Sequence, residues 1–81
     1  MARVLLFGRL SDLAGWRERD LTPQPATLHG LRAAIAGLDP ALAEALAGAG
    51  VLTAVDRRIV RGDLALEAGV EVAFMPPMSG G

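Results

Sequence analysis

At 81 residues the chain is one domain, long enough to bury roughly 60–65% of its unfolded surface in one modest core. A composition of 52% hydrophobic and 21% charged residues is globular, and a formal net charge of −1 argues against a nucleic-acid partner held by phosphate neutralisation. There is no cysteine, no lysine and one histidine, His29, which excludes disulfides and thiol or lysine nucleophiles and leaves no metal site without carboxylate help.

The opening, "MARVLLFGRL", has an apolar run too short for a signal-peptide core, and nothing later approaches a membrane span. A soluble cytoplasmic chain with no membrane partner is expected. Residues 3–7, "RVLLF", read as a buried strand flanked by Gly8. "SDLAG" at 11–15 reads as one helical turn with Ser11 as N-cap and Gly15 past its end. "WRERDL" at 16–21 is a charged strand suited to a sheet edge, and "TPQPAT" at 22–27 is a turn. Thr27 then caps a helix in which Leu28, Leu31, Ile35 and Leu38 share one face. Asp39-Pro40 starts a short helix with Leu42 and Leu46 on one side and Gly48 at its end. "VLTAV" at 51–55 and "IV" at 59–60 flank Asp56-Arg57-Arg58, a tight hairpin connection. After a turn at Gly62-Asp63, the last strand is "VEVAFM" at 70–75, stopped by Pro76 and Pro77, which cannot donate to a ladder.

This order predicts an α+β domain: a mixed sheet of four or five strands, one main helix and a short helix. A hairpin, a crossing helix and a last strand returning parallel beside the first make the β-grasp arrangement. The domain spans 1–75, and 76–81 form an extended tail. Period-two alternation turns Val4 and Leu6 inward with Val70, Val72 and Phe74. The opposite face carries Arg3 across from Glu71, but also Leu5, Phe7, Ala73 and Met75, with Ile59 joining from beside the hairpin. Apolar side chains gathered on one outer sheet face suggest a partner surface, where scattered ones would mean nothing.

No enzyme site emerges. "GAGV" at 48–51 lacks the full glycine fingerprint of a nucleotide loop and leads into a strand, so it reads as a helix end and turn. Arg57-Arg58 at a hairpin tip read as solvated charge, and His29 as an exposed or packed first-turn residue. The carboxylates form no acid/base pair. The final "PPMSGG" is built differently: a stiff Pro-Pro exit, then Met78-Ser79 and two glycines that leave bare backbone beside the terminal carboxylate. Two readings of it stand, a frayed end or a probe shaped for a narrow partner cleft. Either way the tail is expected to pack on nothing in the free domain.

Residues 51–81 resemble the small subunits of molybdopterin synthase, ubiquitin-like β-grasp sulfur carriers. "EVAFMPPMSGG" at 71–81 is the specific part, and "VLLFGRLSDLAG" at 4–15 is similar to the family's opening. The middle, 16–49, matches only in pattern and length. Asp56 stands where the family commonly has Asn, and Ala68-Gly69-Val70 where it often reads Asp-Gly-Asp. The thiamine-pathway sulfur carrier also ends in Gly-Gly but usually lacks the Pro-Pro element.

The resemblance implies that the Gly81 carboxylate is the reacting group, adenylated and then made a thiocarboxylate, with Gly80, Pro76 and Pro77 giving it access. It implies docking through Phe7, Ile59 and Met75. The implied partners are the synthase large subunit, a ubiquitin-activating-enzyme-like adenylyltransferase and a persulfide donor. ATP and magnesium would be used by the adenylating partner, with no cofactor bound by this chain. The sulfur would go to cyclic pyranopterin monophosphate, in a heterotetramer whose catalytic groups belong to the partners. Thiamine-type sulfur carriage, or a ubiquitin-like modifier conjugated through its C-terminus, is the alternative.

Overall fold

The computed structural model describes residues 1–77. Its elements are β1 (Ala2–Leu6), α1 (Arg9–Ala14), β2 (Glu18–Leu21), α2 (Leu28–Ala36), α3 (Pro40–Leu46), β3 (Leu52–Val55), β4 (Arg58–Val60) and β5 (Glu71–Met75). The five strands form one sheet in the order β2-β1-β5-β3-β4. β1 and β5 run parallel at its centre, Val4 beside Val72 and Leu6 beside Phe74, while the other pairings are antiparallel. The predicted adjacency of the first and last strands is therefore present.

The inward residues follow the alternation. Val4, Leu6, Val72 and Phe74 are buried together with Leu31 and Ile35 of α2, Leu42 of α3 and Leu10 of α1. Two of the three predicted caps form. Thr27 Oγ1 accepts from the Gly30 N–H at 3.2 Å, and Asp39 Oδ1 from the Ala41 N–H at 2.8 Å, with Pro40 in the first turn.

Several expectations shift. α1 starts at Arg9, so Ser11 lies inside the helix, and its hydroxyl donates to the Gly8 carbonyl at 2.7 Å instead of capping. Gly15 does end that helix, in the left-handed region at φ 81°. The main helix stops at Ala36, so Leu38 falls off its apolar face and is exposed. α3 closes at Ala47, one residue before Gly48. Residues 16 and 17 precede β2; Trp16 packs against the core's edge with the Arg19 guanidinium 5.0 Å from its ring. Arg3 stands beside Glu71 in register, yet its ion pairs run across to Asp20 and Glu18 of β2, at 3.8 and 4.0 Å. The hairpin connection is two residues, Asp56-Arg57, both at positive φ (48° and 70°), and Arg58 already belongs to β4. That is the turn whose twist matches its flanking strands.

Candidate functional site

The outer sheet face gathers apolar side chains from four strands. Leu5 lies beside Ala73, Ala73 beside Ala54, Ala54 beside Ile59, and Leu52 beside Met75. Directly paired residues point the same way, so this set shares one surface. Small Ala54 and Ala73 floor a hollow walled by Leu5, Phe7, Ile59 and Met75, with Arg57 and Glu71 on its border. Phe7 is 46% exposed and Ile59 53%. Sequence reasoning placed Phe7, Ile59 and Met75 outside, and the fold brings all three to the same hollow. It missed Leu52 and Ala54, although alternation along "VLTAV" turns both outward.

The tail leaves from the corner of this face. Met75 closes β5 as a wall of the hollow, and Pro76 follows it directly. The Phe7 N–H donates to the Phe74 carbonyl at 3.1 Å, holding the end of β1 to the exit. Pro76 is half-buried and Pro77 exposed. Neither stands clear of the domain. A Cβ on Gly8 would lie 3.0 Å from Pro76 Cγ, and one on Gly50 would lie 2.8 Å from Pro77 Cβ. The expectation that the tail packs on nothing is thus corrected for its two prolines. Gly80 and Gly81 lie outside the described residues.

The other singled-out residues have structural work. Asp63 Oδ1 accepts from the backbone N–H groups of His29 (2.8 Å) and Leu64 (3.0 Å), and Asp63 Oδ2 sits 3.6 Å from His29 Nδ1. The Asp63 turn is thereby tied to the start of α2. Asp56 exchanges backbone and side-chain hydrogen bonds with Glu71, at 2.8 and 3.0 Å, pinning the hairpin turn to the start of β5. Gly48 and Gly50 flank the turn between α3 and β3. Among the described residues no three His, Cys, Asp or Glu side chains cluster to hold a metal ion, and no helix is long and apolar enough to cross a membrane.

Residues 4–81 match the ThiS family. The chain belongs to that family. It is 35% identical over 81 residues to the molybdopterin synthase sulfur carrier subunit of Escherichia coli (strain K12), covering all of both chains. Among solved structures it is similar to the small archaeal modifier protein SAMP1 of Haloferax volcanii, with a TM-score of 0.82 and 28% identity over 99% of this chain and 98% of that one. SAMP1 of Methanosarcina acetivorans superposes with a TM-score of 0.87 at 21% identity, over 99% and 95% of the two chains, a likeness of fold. The mixed five-stranded sheet with its helices on one side is the β-grasp fold of these ubiquitin-like proteins. This ThiS-family chain is a homologue of the molybdopterin synthase sulfur carrier.

Proposed function

We propose that the chain is the sulfur-carrying small subunit of a molybdopterin synthase, with the Gly81 carboxylate as its reacting group. The observation that carries this reading is that Met75 belongs at once to the apolar hollow and to the tail exit. A partner seated on Phe7, Ile59 and Met75 would receive the tail where it docks. The 35% identity to a molybdopterin synthase carrier over the full length favours that pathway over the thiamine type.

A carboxylate is a poor electrophile because it carries its charge on the leaving oxygen. In the proposed sequence its oxygen attacks the α-phosphorus of ATP, held with magnesium by an adenylating partner, and pyrophosphate leaves. A persulfide sulfur then adds to the acyl carbon and AMP departs, giving an acyl disulfide. A thiol cleaves its S–S bond, becoming oxidised to a disulfide and releasing the thiocarboxylate. The large subunit then takes that sulfur for cyclic pyranopterin monophosphate. This chain supplies a docking face and a reacting end, and its partners supply the catalytic groups.

Intact-mass measurement tests the reading. Incubation with the adenylating enzyme, ATP, magnesium, a persulfide donor and a thiol should replace one oxygen by sulfur. One residue added after Gly81 moves the carboxyl by about 3.3–3.6 Å, and adenylation should collapse, since even ~1 Å of misplacement can cost ~10²-fold in rate. An extended chain that reacts as readily as the parent rejects the terminal-carboxylate mechanism. The similarity to SAMP1 favours one second reading, conjugation of Gly81 to protein amines. Its product would be an isopeptide, with loss of water and no sulfur gained.

A further inference from the structure

Five glycines among the described residues have positive φ: Gly8, Gly15, Gly50, Gly62 and Gly69. At Gly15, Gly62 and Gly69 an added Cβ would meet nothing within 4 Å. Those three serve turns alone. Gly8 (φ 55°) and Gly50 (φ 85°) differ, because an added Cβ would strike the next two residues of the tail, Pro76 at 3.0 Å and Pro77 at 2.8 Å. A pyrrolidine ring fixes φ and can yield only by changing its pucker. At Gly50 the contact falls on Pro77 Cβ, bonded directly to the backbone, so a push there moves the tail, while at Gly8 it falls on Pro76 Cγ, where pucker absorbs part of it.

We propose that Gly8 and Gly50 are positioning residues for the tail: their missing side chains form a saddle that sets the direction in which Pro76-Pro77 leave the sheet. The proposal rests on the reading of Gly81 as the reacting group. Gly8 follows β1 and Gly50 precedes β3, so the saddle is anchored in the sheet. Four residues, each spanning about 3.3–3.6 Å, separate Pro77 from the reacting carboxyl. A shift at Pro77 therefore changes where those four residues start from. The expected loss on filling the saddle is about tenfold, below the ~10²-fold that a full ångström can cost.

A double-mutant cycle separates this role from backbone strain. Gly50→Ala, Pro77→Gly and the pair are compared for kcat and KM of thiocarboxylation, for thermal midpoint and for large-subunit affinity. Gly50→Ala should lower kcat about tenfold in the parent and less than about twofold in Pro77→Gly, where the ring is gone. An equal loss in both backgrounds, or none in the parent, overturns the proposal. Gly8→Ala with Pro76→Gly repeats the cycle should Gly50→Ala fail to fold. A measurement on the unmodified chain keeps both readings separable: proton NOEs between the Gly50 Hα and the Pro77 ring. Their absence overturns the saddle even if the parent takes up sulfur. A parent that takes up none overturns the reading of Gly81, and the NOEs then decide whether the saddle exists.

Discussion

Asp56 and Arg57 turn the β3–β4 hairpin at φ 48° and 70°, in the left-handed region that costs a residue with a Cβ roughly 1–2 kcal/mol. Asp56 is compensated, since its carboxylate accepts the Glu71 N–H. Arg57 has no such anchor among the described residues. Arg57→Gly should therefore stabilise the domain by about 0.5–1 kcal/mol, net of the glycine's larger unfolded-state entropy. A higher urea midpoint at unchanged slope is the check. Asp63→Ala should do the reverse, losing about 1–2 kcal/mol with the acceptor for two backbone N–H groups. Its thermal midpoint against that of Glu67→Ala, a solvated control, measures this. These residues also show what a sequence makes legible. Thr27 and Asp39 could be read as caps because their targets are three and two positions ahead. Asp63 could not, because His29 is 34 positions away and only the fold brings them together. The contacts of Gly8 and Gly50 with the prolines are hidden for the same reason.

Whole elements were legible wherever a period persisted. Alternation in the two central strands divided core from outer face correctly, because a strand's side chains cannot change sides without a slip in register. The limits of α2 were less legible: Leu38 keeps the helical spacing, but the helix ends at Ala36 before reaching it. The start of α1 was missed because Gly8 offers no side-chain cap to announce it. The two phenylalanines test the division of faces. Phe74 is fully buried on the helix side and Phe7 is 46% exposed on the other. Phe74→Ala should cost about 3–5 kcal/mol, much of the ~5–15 kcal/mol that holds a domain folded. Phe7→Ala should stay within about 0.5 kcal/mol. Denaturant titration of both variants decides, and comparable losses would mean that the outer hollow belongs to the core.

At the scale of the molecule, the proposed docking and reacting groups occupy different residues, with Met75 at their junction. The helix-side core packs one face of the sheet, the opposite face presents the apolar hollow, and Pro76-Pro77 follow the end of β5. A chain ending at Ser79 keeps the entire face but has lost both terminal glycines. It should fold as the parent does and compete with thiocarboxylated parent for the large subunit, inhibiting sulfur delivery without supporting it. Adding Phe7→Glu or Met75→Glu to this short chain should relieve the inhibition, because a charge facing an apolar contact replaces a central anchor, a change that can cost on the order of 2 kcal/mol or more. That corresponds to roughly thirtyfold in competitor affinity, at 1.4 kcal/mol per tenfold. Product formation at fixed parent and rising competitor measures the effect. A folded short chain that fails to compete would locate the binding energy in the terminal glycines and reject the face. Competition undiminished by either glutamate would reject the assignment of Phe7 and Met75 to it.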